Sequence, residues 1–95
     1  MAIAALTTVT HTTITVGNTT TVVVAANADR KWALFVNDSD EAIYLKLGAA
    51  GVLNAGIRLN ANGGSLELVG RSLYLGAING ICTSGGKKLL MTEAT

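Results

Sequence analysis

The feature that most constrains this chain is a series of short apolar runs with a period of two, each ended by turn residues. Residues 30–37, 42–48, 56–59 and 63–68 read Arg-Lys-Trp-Ala-Leu-Phe-Val-Asn, Ala-Ile-Tyr-Leu-Lys-Leu-Gly, Gly-Ile-Arg-Leu and Gly-Gly-Ser-Leu-Glu-Leu. Trp32, Leu34 and Val36 share one parity of the first run, Ile43, Leu45 and Leu47 one parity of the second, and Leu66 and Leu68 flank Glu67 in the last. A period of two sends those side chains to one face of a strand. Asn37-Asp38-Ser39-Asp40, residues 48–51 and residues 60–64 supply the bends between runs. The reading is a β-meander whose inner faces, with Trp32 as an anchor, build one core.

The remaining segments extend the same pattern. Residues 7–21 hold nine threonines, whose branched Cβ favours extended backbone. Gly17-Asn18 divides this stretch as a hairpin turn would. The run before it offers few large side chains to a core, so it suits an arm that pairs with a neighbouring subunit, or an edge strand of its own sheet. Val22, Val23 and Val24 form a β-branched run suited to a strand covered on both faces. Residues 71–78 alternate as a strand, with Leu73, Leu75 and Ala77 on one face and Tyr74 on the other. Asn79-Gly80 is a hairpin dipeptide leading to Ile81-Cys82-Thr83. Gly85-Gly86 then turns the chain into a final strand over 87–93. With no proline and no helical period, the pattern gives a compact antiparallel β-sandwich or small β-barrel of about eight strands. Its parts are an N-terminal arm or edge hairpin, 1–20, and a single domain, 21–95.

Composition decides how such a domain can live. Charged residues are 14% of the chain against about 25% in ordinary soluble domains, and hydrophobic residues are 49%. A 95-residue chain has too little interior to hide so much apolar surface, so some of it is expected to lie against other protein, first a homo-oligomer. The net charge of +1, with Lys87-Lys88 the longest basic run, offers no face to neutralise phosphates and argues against nucleic acid. No apolar run approaches the roughly 20 residues needed to span a bilayer. The opening Met-Ala-Ile-Ala-Ala-Leu lacks the basic start and apolar length of a signal peptide, so synthesis in the cytoplasm is expected. Cys82, alone, reads as a small buried hydrophobe.

Catalytic signatures are sparse. His11, the single histidine, lies in the threonine-rich run, and no G-x-S-x-G elbow accompanies it. Asp38, Asp40 and Glu41 could suggest a calcium loop, but the EF-hand offsets are missing and Asp and Asn favour tight turns for backbone reasons. The glycine pairs at 48–51 and 63–64 lack the Gly-Lys-Ser/Thr or strand-to-helix context of a phosphate cradle. No catalytic, cofactor-binding or metal-binding residue is assigned, and the expectation is a protein without enzymatic activity.

From Arg30 to Glu93 the sequence resembles small all-β virion proteins of tailed bacteriophages. The resemblance is carried by Trp-Ala-Leu-Phe-Val-Asn-Asp-Ser, Ala-Ile-Tyr-Leu-Lys-Leu-Gly, Gly-Ile-Arg-Leu, Gly-Gly-Ser-Leu-Glu-Leu and Ser-Leu-Tyr-Leu-Gly-Ala-Ile-Asn-Gly. It implies a structural role in the virion, as a capsid decoration or cement protein contacting the major capsid protein or another virion protein. A trimer at a local three-fold axis would suit capsid symmetry. The other expectation is a small tail or head-to-tail component acting as a receptor- or carbohydrate-binding module. Contacts are assigned to Thr10, Thr12, Ile14 and Val16 of the threonine-rich run, to Tyr44 and Tyr74, and to the small-residue loop 48–56.

Overall fold

The computed structural model describes residues 5–95, so the first four residues of the 1–20 segment lie outside the described residues. Eight strands follow one another: β1 (Val9–Val16), β2 (Thr21–Val24), β3 (Trp32–Asn37), β4 (Ile43–Leu47), β5 (Ile57–Leu59), β6 (Ser65–Leu68), β7 (Ile78–Ile81) and β8 (Lys87–Ala94). A single 3-10 turn, Gly70–Ser72, lies between β6 and β7. The strands form two four-stranded sheets in the orders β1-β8-β3-β6 and β2-β7-β4-β5, with every pairing antiparallel. The expected all-β sandwich of about eight strands is what the chain forms. Its path is not a meander, because only β4 and β5 are neighbours both in sequence and in space. Elsewhere the chain passes from one sheet to the other, and this strand order is that of an eight-stranded jelly roll.

The core lies between the sheets. Phe35 pairs with Met91 and Asn37 with Leu89 across β3 and β8, while Ile43 pairs with Leu59 across β4 and β5. Val16, Val23, Phe35, Leu45, Leu68, Ile78, Cys82 and Leu89 are all buried there. This reverses the expected parity of β3. Ala33, Phe35 and Asn37 face inward, whereas Trp32, Leu34 and Val36 stand half-buried on the outer face. Trp-Ala-Leu-Phe-Val carries apolar residues on both parities, so alternation alone left the choice of face open. Pairing settles it: β6 presents Leu66 and Leu68 inward beside Phe35 and Ala33.

Three further expectations are corrected by hydrogen bonding and packing. Gly17-Asn18 does not close a hairpin, since β1 and β2 belong to different sheets. Gly17 instead donates its N–H to Thr21 Oγ1 and accepts at its carbonyl from the Cys82 N–H. Asn79-Gly80 lies inside β7 rather than at a turn, because Gly80 is where Leu45 and Val23 pack down on the backbone. A Cβ there would meet Leu45 Cδ2 and Val23 Cγ1 at 3.1 Å. Val22 is 59% exposed, so β2 is covered on one face only.

Residues 73–77 form no strand, and the cause is Arg30. This residue is 2% exposed and its guanidinium is spread over the gap between β2, β8 and the 73–77 segment. Nε donates to Glu93 Oε2 at 2.7 Å, one terminal nitrogen to the carbonyls of Tyr74 (2.6 Å) and Gly76 (3.1 Å), and the other to Ala25 (2.6 Å). Asn27 N–H takes the carbonyl of Leu75. Three successive acceptors are thereby satisfied by Arg30 and Asn27 instead of by a neighbouring strand, as buried carbonyls require.

Candidate interaction surface

The threonine-rich run is built into the first sheet along its whole length as an edge strand. β1 pairs with β8 from Val9↔Ala94 to Val16↔Lys87 without a register shift. Just beyond the strand, Thr8 and Thr95 exchange both backbone hydrogen bonds, at 3.2 and 2.9 Å. In an antiparallel ladder such exchanging pairs alternate with non-bonded ones. Thr8, Thr10, Thr12, Ile14 and Val16 therefore direct their backbone groups to β8. Val9, His11, Thr13 and Thr15 direct theirs to the open edge, where the sheet order ends. The pairing of Asp38 N–H with the Lys88 carbonyl on the far side of β8 agrees, since it assigns the even-numbered residues of β8 to β3.

The outward face of this sheet continues from the edge. Val9, His11, Thr13 and Thr15 stand beside Ala94, Thr92, Leu90 and Lys88, and these stand beside Trp32, Leu34 and Val36. Val9 is 48% and Leu90 40% exposed, and Trp32, Leu34 and Val36 are partly so. Polar contacts fix the rim: His11 Nδ1 lies 3.0 Å from Thr92 Oγ1, and Trp32 Nε1 donates to Glu67 Oε2 at 2.6 Å. Among the described residues, the first sheet thus presents a half-exposed apolar face next to an unpaired backbone edge.

The sequence-assigned contact residues separate on this frame. Thr10 and Thr12 are exposed, on the inward parity of β1 beyond the reach of the core. Ile14 is half-buried against the core and Val16 is fully buried within it, so Val16 offers no side chain to a partner. Tyr44 is buried on the outer face of the second sheet. Its hydroxyl donates to Asn54 Oδ1 at 2.9 Å, and the Arg58 guanidinium carbon lies 6.0 Å from its ring centroid. Tyr74 is half-buried, its hydroxyl end lying against Gly48 and Gly76. The backbone edge formed by Val9, His11, Thr13 and Thr15 escaped the sequence reading. Finding it needs to be known which side of β1 faces β8.

The small-residue loop 48–56 lies down on its own second sheet. Gly51 N–H donates to Thr20 Oγ1 and Asn79 Nδ2 to the Ala49 carbonyl, each at 2.7 Å. A Cβ on Gly51 would stand 3.2 Å from the Gly80 backbone and from Ile81 Cβ. The close approach that small residues allow is therefore used within the chain, where it covers Tyr44 and Ile81.

The acidic residues after β3 act as turn fasteners. Asn37, fully buried, donates to the carbonyls of Glu41 and Leu59, while Ser39 Oγ donates to Asn37 Oδ1. Asp40 pairs with Lys87 Nζ at 2.7 Å, and that ammonium holds the Asp40 carboxyl below its usual range. Glu41 accepts from the Ser84 N–H and hydroxyl at 2.7 and 2.8 Å, which lowers its pKa. The two carboxylates are thus spent on different partners of the 83–87 segment. Cys82 is buried, and desolvation raises the pKa of its thiol, which lies 3.3 Å from the Val16 carbonyl. Among the described residues no cluster of three or more His, Cys, Asp and Glu side chains is placed to hold a metal.

Comparison with protein-family models, with curated proteins and with solved structures finds no match for this chain.

Proposed function

We propose that this protein is a non-enzymatic structural subunit of a virion, a decoration or cement protein that self-associates and lies against the major capsid protein. The observation that carries the reading is the first sheet's outer surface, where Trp32, Leu34, Val36, Leu90 and Val9 remain partly exposed beside a β1 edge that is unpaired among the described residues. In so small and charge-poor a domain, an apolar surface of this kind is the part that other protein covers. The eight-stranded jelly roll is also an architecture of capsid domains, an analogy of fold that adds to the surface argument without replacing it. Co-sedimentation with empty capsids tests it. Wild-type protein pellets with the particles, and Leu90→Glu, which puts a charge on the outer face, loses that binding while keeping its circular-dichroism spectrum. Equal pelleting of the two proteins would remove the sheet face from the account, and no pelleting of either would remove the capsid.

One observation favours a second reading, a carbohydrate-binding module of a tail. Trp32 is on the outer face with Glu67 at its indole N–H, an arrangement in which an aromatic side chain stands beside a polar group, as sugar sites require. Jelly rolls also serve as lectin domains. A glycan array run alongside the sedimentation separates the two: under this reading the wild-type protein is retained by a glycan and Trp32→Ala abolishes that retention, whereas under the first the wild-type protein pellets with capsids and no glycan retains it.

A further inference from the structure

We propose that β1 is completed by the β1 strand of a second copy, antiparallel about a two-fold axis at Thr12, so that two first sheets join into one of eight strands. The inference deepens the self-association of the preceding reading but rests on backbone geometry, and it stands whether or not the partner lattice is a capsid.

Four observations carry it. First, β1 is an edge strand of eight residues with no proline, no register shift and no side chain of fixed charge, and His11 is its one titratable residue. Edges that must stay single are usually shortened, bulged or charged. Second, the other three edges are short: β6 has four residues, β5 three, and β2 four with a register shift between Val22 and Val24. Among the sheet edges of the described residues, only another β1 matches this one in length, which favours an isologous contact over a head-to-tail one.

Third, the free backbone groups select the register. Because Val9, His11, Thr13 and Thr15 carry the outward N–H and C=O groups, they must meet one another across the interface. An axis at Thr12 sets Val9 opposite Thr15 and His11 opposite Thr13, and uses all four. With two bonds per exchanging pair, that closes about eight backbone hydrogen bonds. Moving the axis to Thr13 leaves Val9 facing Gly17, outside the strand. Fourth, side chains are compatible in this register. Thr12 meets Thr12 and Thr10 meets Ile14 on the inward face, where Thr10 and Thr12 are exposed. On the outward face His11 meets Thr13, so no like charges oppose each other.

Two variants and a cross-link test the arrangement. Thr12 lies in a non-bonded pair across the axis, where Cα atoms are about 4.5 Å apart, within the range a disulfide spans. Thr12→Cys treated with oxidised glutathione is expected to form an intermolecular disulfide dimer at low micromolar concentration, while Ser65→Cys, at the β6 edge, forms several-fold less. Thr13→Pro removes an outward N–H that β8 does not use, and is expected to halve the solution mass while keeping the β-sheet spectrum. Thr13→Lys does the same by adding a charge, should the proline variant fail to fold. A trimer mass unchanged by Thr13→Lys, a wild-type monomer at about 100 μM, or equal cross-linking at positions 12 and 65 would each overturn the proposal. Capsid pelleting is scored apart from these readouts: its loss in the wild-type protein counts against the capsid reading alone, because self-association is read from mass and cross-linking.

Discussion

Replacing Arg30 by methionine tests whether one buried cation holds the two sheets and the irregular 73–77 segment together. The substitution keeps the length and apolar stem of the side chain but removes donors to Glu93, Tyr74, Gly76 and Ala25. Removing one partner of a buried ion pair costs about 3–5 kcal/mol, because the remaining charge stays desolvated. The Glu93 side chain is 17% exposed, which favours the lower end for that charge. The three abandoned carbonyls act in the other direction, each an unsatisfied acceptor worth about 1–3 kcal/mol in isolation and not additive. A loss of about 4 kcal/mol is therefore expected, against a total of about 5–14 kcal/mol for a domain of this size. In a thermal melt, even a 3 kcal/mol loss at about 4 °C per kcal/mol lowers Tm by roughly 12 °C. Equilibrium urea unfolding of Arg30→Met, Glu93→Gln and the double variant supplies the free energies. The double variant should be less destabilised than the sum by about 1 kcal/mol or more, since the carboxylate charge left by the first change is then gone. A loss below about 1 kcal/mol for Arg30→Met, or simple additivity, would mean that the buried guanidinium does not hold the 73–77 segment and Glu93 in place.

The other expectations concern the turns and the core. Glu41 has its pKa lowered in the folded protein by Ser84, so its stabilisation is complete above the ordinary value of about 4.3 and is lost as pH falls through the lower folded value. Melts of wild type and Glu41→Gln should accordingly differ at pH 7 and converge in acid; a difference independent of pH would remove the carboxylate from the explanation. Gly56, at φ +85°, would press a Cβ against the Leu45 carbonyl, whereas Gly63, at φ +110°, has open space around it. Gly56→Ala should lose about 1–3 kcal/mol of urea-measured stability and more than Gly63→Ala, whose cost is conformational alone. The Cys82 thiol should resist a thiol-specific reagent in the folded protein and react fully in denaturant, and rapid labelling under native conditions would place it elsewhere.

How far the sequence reached differs from segment to segment, for physical reasons. The strands with one clear apolar parity or firm flanking turns were legible: Ile43 and Leu45 of β4 face inward as their alternation predicts, and Gly85-Gly86 opens β8. The face of β3 was not, because Trp32-Ala33-Leu34-Phe35-Val36 is apolar on both parities and partners decide between them. Nor could local pattern supply the crossings between sheets, which are set by long-range pairing such as β1 with β8. Residues 73–77 alternate like a strand, but Arg30, more than 40 positions earlier, takes carbonyls that a ladder would need. Much the same holds for the interaction surface. Thr10, Thr12, Ile14 and Val16 were legible as one face of an extended run, whereas the free edge belongs to the backbone of the alternate residues and becomes visible only once β8 is in place.

The most direct test of the central claim, that this chain completes its surface against another protein chain, is its mass in solution by light scattering at low micromolar concentration. The mass should be that of a two-fold assembly, twice the 9.7 kDa chain mass, and Thr13→Lys should convert it to single chains. A wild-type protein that remains a soluble single chain at every concentration reached would contradict it.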